Sequence, residues 1–193
     1  IRRAKNKNIN WQRRVCKRQE GKHLTMAQRL NDFLELQNHR QVRRILEGFA
    51  EGADISWFDR TAVTVCKQWL RLAQHHLQVA RSLVNSNRNW RSVVSRSYYA
   101  VYTASRTVRF YVEGSVKLDV DDHKRVGDLP NDFPKKPEWS NFVVELRRDR
   151  NLADYEPWQH VRRSLTHSPN KALKKSAEFV GESRKYLRQR GVL

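Results

Sequence analysis

The chain has 193 residues, of which 38% are hydrophobic, 31% are charged and 10% are aromatic. This length suffices for one domain with a core, alone or with an extension, and the aromatic content argues against a disordered chain. The formal net charge of +19 predicts attraction to a polyanion, either nucleic acid or an anionic membrane surface, and no apolar run approaches the length that spans a bilayer.

The cysteines indicate a reducing compartment. Cys16 and Cys66 lie in different segments and lack the spacing of metal ligands, which argues against a structural disulfide and against a zinc site. The first residues contain no apolar stretch like that of a signal peptide. We therefore expect a cytoplasmic protein without a metal or cofactor.

Positive charge is concentrated near the N-terminus. Residues 1–25 contain nine Lys or Arg and one Glu, and the only methionine of the chain is Met26. Two interpretations stay open for this segment: a non-native or disordered extension, or a basic arm that binds nucleic acid. Residues 26–55 follow as an accessory helix, because apolar positions recur at helical spacing from Thr25 to Ala50.

Residues 56–193 have the apolar periodicity of long helices, and their Gly and Pro residues cluster outside the periodic segments. We predict four helices: from Asp59 as N-cap to Asn85, from Asn89 to Val112 with Gly114 as the stop, from Glu138 to a point before Pro157, and from Ser168 to Arg190. The second of these is apolar nearly all round and should be central. Residues 115–137 form a long loop with one helical turn around Asp122 to Val126. The expected fold is all-α, an antiparallel helical bundle.

Two polar stretches interrupt the apolar pattern of these helices. In the first, Arg150 and Asp154 are four residues apart and can form an ion pair along the helix, with Asn151 beside them. The simplest interpretation is a solvated surface pair. The alternative is a polar patch that carries chemistry.

The second polar stretch places Arg96 within an otherwise apolar helix. A buried arginine needs carboxylate or carbonyl partners. We therefore predict that Arg96 pairs with an acidic side chain inside the bundle, with Asp154 as a candidate. The alternative is a polar cluster that lines a groove.

Together these stretches resemble the HEPN (higher eukaryotes and prokaryotes nucleotide-binding) family. The similarity rests on Ser-Arg-x-Tyr-Tyr-Ala at residues 95–100, on His123 after a variable loop, and on Arg-Asn-x-Ala-Asp-Tyr at residues 150–155. It spans residues 59–187 and is nearest to the small prokaryotic branch that is often encoded beside minimal nucleotidyltransferases.

The resemblance implies a helical bundle that forms a homodimer and acts on RNA. Many HEPN proteins are metal-independent ribonucleases of toxin–antitoxin or phage-defence systems, and their motif places an Arg and a later His at the dimer interface. Carried over, Arg150 and Asn151 would hold a phosphate, and Asp154, Tyr155 and Arg96 would complete the site. The implied partners are RNA, a second copy of the chain, and a nucleotidyltransferase-type antitoxin or a larger complex.

The sequence departs from the family motif at its histidine. That position is occupied by Tyr155, and a tyrosine hydroxyl is a poor base at neutral pH. His123 could swing in from its loop, and the stretch from Arg162 to His167 also has arginine–histidine spacing. Three functions stay open: an RNA-cleaving enzyme, an inactive HEPN module that binds RNA or protein, and a helical adaptor of a larger ribonucleoprotein assembly.

Overall fold

A computed structural model describes residues 33–34, 38–49, 55–114 and 120–193. The pattern of internal contacts divides the chain into residues 1–35 and residues 36–193, and the fold below is that of the second unit. The predicted basic extension, residues 1–25, lies outside the described residues. The boundary that we predicted at residues 55 and 56 stays a prediction.

The described part of the second unit is helical, with no strand among its residues. Its α-helices are α1 (His39–Phe49), α2 (Ser56–Leu83), α3 (Trp90–Glu113), α4 (Lys136–Tyr155) and α5 (Pro169–Arg188). Short 3-10 segments cover Asn87–Asn89, Val120–Arg125 and Gln159–Ser164. The prediction of an all-α fold is confirmed. None of the helices described here is long and apolar enough to cross a membrane.

Helix α3 is the central element of the bundle. It packs against α2, α4 and α5, whereas α2 and α5 also meet each other. Its buried side chains cover most of the helix circumference, from Val93 and Val94 at one end to Phe110 at the other. This agrees with the prediction from its nearly continuous apolar sequence.

The predicted helix over residues 25–50 is wrong as a single element, because Asn38 is not helical. Asn38 instead caps α1: its Oδ1 accepts a hydrogen bond from the Gln41 backbone N–H at 3.1 Å. Its Nδ2 donates to the carbonyl oxygen of Glu113 at 3.0 Å, and the His39 N–H donates to that of Gly114 at 2.7 Å. The start of α1 is therefore fastened to the end of α3.

The helix ends otherwise differ from the prediction by a few residues. Helix α2 begins at Ser56, so Asp59 lies in its first turn and is not its N-cap, and there it forms an ion pair with Arg43 at 2.8 Å. Helix α4 begins at Lys136 with a proline in its first turn. Ser168 caps α5 as predicted, since its Oγ accepts from the Lys171 N–H at 3.4 Å.

Gly114 is expected to be essential for the junction between α1 and α3. Its φ of +81° is left-handed, and an added Cβ would lie 2.5 Å from Asn38 Oδ1. We expect Gly114→Ala to lower the free energy of unfolding by about 1–3 kcal/mol, measured by urea denaturation. Gly181→Ala is the matched control: nothing lies within 4 Å of its added Cβ, so this helical substitution should stabilise by about 0.5–1 kcal/mol. Equal effects of the two substitutions would contradict the account.

Candidate functional site

A set of aromatic rings on α3 surrounds His123. The His123 ring stacks on Tyr102 with 4.1 Å between centroids and lies 5.9 Å from the Tyr98 ring and 6.4 Å from the Tyr99 ring. Its Nδ1 is 2.8 Å from the Tyr98 hydroxyl, within hydrogen-bond distance. The imidazole is therefore packed against one face of α3.

Helix α4 brings Arg150 to the same tyrosines. The guanidinium carbon lies 5.8 Å from the Tyr98 ring centroid and 5.3 Å from that of Tyr99, and Nη2 donates to the Tyr99 hydroxyl at 2.7 Å. Arg150 and His123 thus share two tyrosine neighbours although they come from different segments. We call Tyr98, Tyr99, Tyr102, His123 and Arg150 the Arg150 cluster.

Polar groups of the motif on α4 also hold the Arg150 side chain. Its Nε lies 2.7 Å from Asp154 Oδ2, which confirms the predicted ion pair, although the N–H is not aligned for a hydrogen bond. Its Nη1 donates to Asn151 Oδ1 and to the Tyr155 hydroxyl, each at 3.2 Å. The guanidinium is therefore held in one orientation by several contacts at once.

The prediction for Arg96 is wrong. Its side chain is exposed, and its Nη1 lies 3.5 Å from His76 Nδ1 at the surface. The α3 side chain that reaches Asp154 is instead Ser95, whose Oγ donates to Oδ2 at 3.4 Å. A helix turns about 100° per residue, so a shift of one position separates a side chain that faces α4 from one that faces away.

The buried arginine of α3 is Arg109, which the sequence analysis did not single out. Its Nη1 lies 2.9 Å from Asp122 Oδ1, and both side chains are 1% exposed or less. The Tyr102 hydroxyl donates to the other oxygen of Asp122 at 2.9 Å, and Arg106 Nε lies 3.6 Å from it. Because Asp122 precedes His123, this ion pair fixes the backbone that carries the imidazole.

Further hydrogen bonds secure the segment around His123. Ser105 Oγ donates to the Val126 carbonyl at 2.7 Å, and Arg125 bridges Glu113 and Asp128 at 3.0 and 3.1 Å. His123 sits in the Val120–Arg125 3-10 segment, near the helical turn predicted around Asp122 to Val126, and it already lies against the tyrosines without swinging in from a loop.

The electrostatics of the cluster favour a neutral imidazole. Burial lowers the pKa of His123 below its ordinary value of 6.5, and the positive charge of Arg150 lowers it further, while the carboxylate of Asp122 opposes the change. Burial also raises the pKa of Tyr98, and it raises that of Tyr102 to about 12. The hydroxyls of Tyr98 and Tyr102 thus stay protonated, and the neutral ring of His123 keeps one nitrogen lone pair that can accept a proton at neutral pH.

The alternative histidine of the sequence analysis, His167, lies in the core. It is 3% exposed, with its Nδ1 3.0 Å from Asp149 Oδ2 and its Nε2 3.4 Å from Glu145 Oε2. Asp149 also accepts the backbone N–H groups of Thr166 and His167 at 2.8 and 2.9 Å. The contacts give His167 a structural role, joining α4 to the chain before α5, and leave little access to a substrate.

Arg91, at the start of α3, holds the end of α4. Its Nη1 donates to the carbonyl oxygens of Ala153 and Glu156, each at 2.6 Å, and its Nη2 donates to that of Trp158 at 3.2 Å. Helix C-termini leave carbonyl groups without intrahelical partners, which a guanidinium satisfies well. The chain after Arg150 therefore has a fixed course.

The described ranges of the chain show no alternative metal site and no reactive thiol. They contain no group of three or more His, Cys, Asp or Glu residues placed to hold a metal ion. Burial raises the pKa of the Cys66 thiol to about 12, so that thiol is a poor nucleophile.

Removal of one member of the Arg109–Asp122 pair should strongly destabilise the fold. Arg109→Met leaves the Asp122 carboxylate buried without its principal partner, which costs about 3–5 kcal/mol in comparable cases. Arg106→Met is the control, since Arg106 is more exposed and lies farther from the carboxylate, and it should cost about 1 kcal/mol or less. Urea denaturation of both variants measures the difference. A small loss for Arg109→Met would show that the pair does not anchor the segment.

The helices that carry the Arg150 cluster match a known protein family. The family model described as HEPN domain matches residues 66–187, which is more than half of the chain and contains the whole Arg150 cluster. Neither curated proteins nor solved structures gave a significant match. The matched range covers most of α2, all of α3 and α4, and nearly all of α5. The chain therefore belongs to the HEPN family.

Proposed function

We propose that this HEPN protein is a metal-independent endoribonuclease whose site is the Arg150 cluster. The observation that carries the proposal is the convergence of Arg150 and His123 on Tyr98 and Tyr99. A fixed guanidinium and a neutral imidazole at one surface are the two groups that RNA transesterification needs. HEPN membership supports an RNA-related function, because ribonucleases are common in that family.

The chemistry assigns one role to each group. Arg150 binds the scissile phosphate and stabilises the charge that develops on its oxygens. His123 takes the proton of the ribose 2′-hydroxyl at Nε2, while its Nδ1–H donates to the Tyr98 hydroxyl oxygen. The 2′ oxygen forms a bond to phosphorus while the bond from phosphorus to the 5′ oxygen breaks. The leaving oxygen takes a proton from water, and the hydroxide that remains takes the proton from His123. The products are a 2′,3′-cyclic phosphate and a 5′-hydroxyl.

His123 would compensate for the missing histidine of the α4 motif. The motif position is Tyr155, whose hydroxyl contacts Arg150 Nη1 at 3.2 Å. His123 comes from the Val120–Arg125 segment instead of α4, and it contacts the same two tyrosines as Arg150, namely Tyr98 and Tyr99. In this proposal Tyr155 and Asn151 orient Arg150, and Asp154 limits the positive charge of its side chain.

A second candidate function is RNA or protein binding without cleavage. The contacts of Arg150 favour it, because the guanidinium is already held by Asp154, Asn151, Tyr155 and Tyr99. A phosphate must replace some of these contacts and approach the Asp154 carboxylate, which repels it. A subunit of a ribonucleoprotein assembly would need to bind RNA or protein but would not need to cleave RNA.

The wider setting is also a proposal. Resemblance to the small prokaryotic HEPN branch suggests a homodimer that works in a toxin–antitoxin or phage-defence system, with a nucleotidyltransferase-type partner. The formal net charge of +19 suits an RNA ligand. RNA binding through several Lys and Arg side chains should weaken steeply as salt rises.

Cleavage of RNA in the presence of EDTA tests the proposed activity. We expect the wild-type protein to cleave an unstructured RNA, and we expect Arg150→Ala and His123→Ala each to lower the rate by about 10²–10⁴-fold. His160→Ala is the matched control, since His160 is an exposed histidine outside the cluster, and it should cleave normally. Because the pKa of His123 is lowered from 6.5, kcat/KM should hold at pH 6.5 and fall at lower pH as the imidazole becomes protonated.

Two outcomes would contradict the proposed activity. Cleavage that survives in both Arg150→Ala and His123→Ala would place the site elsewhere. The absence of cleavage by the wild-type protein, together with retained salt-sensitive binding, would favour the binding module.

A further inference from the structure

Two exposed aromatic side chains follow Arg150 closely in the chain. Tyr155 is 69% exposed and Trp158 is 62% exposed, the highest values among the large apolar side chains of the described residues. Water solvates such rings poorly, and aromatic side chains are usually buried. A pair of them beside a candidate site points to a ligand with an apolar face.

Tyr155 lies next to Arg150, and the backbone of Trp158 is held near the end of α4. The Tyr155 ring centroid lies 5.1 Å from the Arg150 guanidinium carbon, and its hydroxyl accepts from Nη1. Trp158 follows three residues later, and its carbonyl oxygen is bound by Arg91 together with those of Ala153 and Glu156. The backbone between the two rings is therefore fixed, which lowers the conformational entropy that ligand binding would cost.

The charge of this surface selects the class of ligand. Exposed arginines precede and follow the two rings, namely Arg148 on α4 and Arg162 and Arg163 in the Gln159–Ser164 segment, and they outnumber the exposed acidic residues Asp154 and Glu156 that adjoin Tyr155. A flat apolar face beside several cations and a candidate phosphate site fits a polyanion that carries aromatic rings. Unpaired nucleobases have that chemistry, and base stacking on aromatic side chains tolerates any sequence.

We propose that Tyr155 and Trp158 form a stacking platform for unpaired bases of single-stranded RNA next to the phosphate held by Arg150. The inference rests on the proposed function, because it takes Arg150 as the phosphate contact. It adds the two side chains that contact the bases: duplex RNA keeps its bases stacked inside the helix and cannot use the platform. Exposed aromatic rings could also meet a protein, but the surrounding cations favour the nucleic acid.

Binding measured by fluorescence anisotropy tests the platform without interference from cleavage. The probes are a labelled RNA of about 12 nucleotides with 2′-O-methyl groups, its duplex, and an abasic strand of equal length and charge. We expect the wild-type protein to prefer the single strand over both others. Trp158→Leu and Tyr155→Leu should each weaken single-strand binding by about 5–150-fold, corresponding to the loss of one stacked base. Both should leave abasic binding within about twofold, since phosphate contacts persist.

Two control variants separate stacking from other effects. Tyr155→Phe keeps the ring and removes the hydroxyl that contacts Arg150, so it should keep the wild-type ratio of single-strand to abasic-strand affinity. Trp57→Leu removes a tryptophan that is 50% exposed at the start of α2, away from the cluster, and it should also bind normally. Circular dichroism checks that each variant is folded.

Several results would overturn the platform. Equal wild-type affinity for the single strand and the abasic strand would show that bases do not contribute. Losses as large in Trp57→Leu as in Trp158→Leu would show that the effect is not local. A Trp158→Leu protein that changes its oligomeric state in sedimentation but keeps its RNA affinity would assign the rings to a protein interface. Stacking-dependent binding by a protein that cleaves no RNA would support the platform and reject the ribonuclease, so the two failures are distinguishable.

Discussion

The buried ion pair between Arg109 and Asp122 is the constraint on which the candidate site depends. Two charges removed from water are costly, so each requires the other, and neither chain segment can move without leaving a charge unpaired. The pair fastens the Val120–Arg125 segment to the centre of α3. Because His123 follows Asp122 directly, a contact in the core determines where an imidazole lies at the surface. Together with the hydrogen bonds of Ser105 and Arg125, this anchor gives the histidine a fixed position within the long connection between α3 and α4.

Helix α3 both forms the core of the bundle and positions the residues of the site. Its apolar side chains make the core with α2, α4 and α5. Its tyrosines contact both His123 and Arg150. Near its start, Arg91 fixes the chain that leaves α4, and near its end Arg109 fixes the segment that leads towards α4. Parts of the site that are distant in sequence therefore share one rigid support, which is how a packed bundle can hold reacting groups in a defined geometry.

Periodicity and helix-end signals predicted the four helices of the bundle from α2 to α5, the central place of α3 and the pair of Arg150 with Asp154, because these depend on spacing within one element. The environment of Arg96 could not be predicted in the same way. Successive residues point about 100° apart round a helix. Whether Arg96 is buried therefore depends on where the neighbouring helices pack against α3, which the sequence of α3 alone does not show. The ion pair of Arg109 and the capping by Asn38 join segments far apart in the chain, and local pattern carries no information on such contacts. His123 was identified from resemblance, but its fixed position follows from packing.

The most direct test of the account is the pKa of His123 measured by NMR in the wild-type protein and in Arg150→Met. The substitution keeps a long side chain and removes the positive charge. If the two residues belong to one site, the pKa of His123 lies below 6.5 in the wild-type protein and rises when Arg150 is replaced, because a nearby cation disfavours the imidazolium. Arg188→Met, at the end of α5, is the control and should leave the pKa unchanged. A His123 pKa that does not respond to Arg150→Met would contradict the claim that the two side chains form one site.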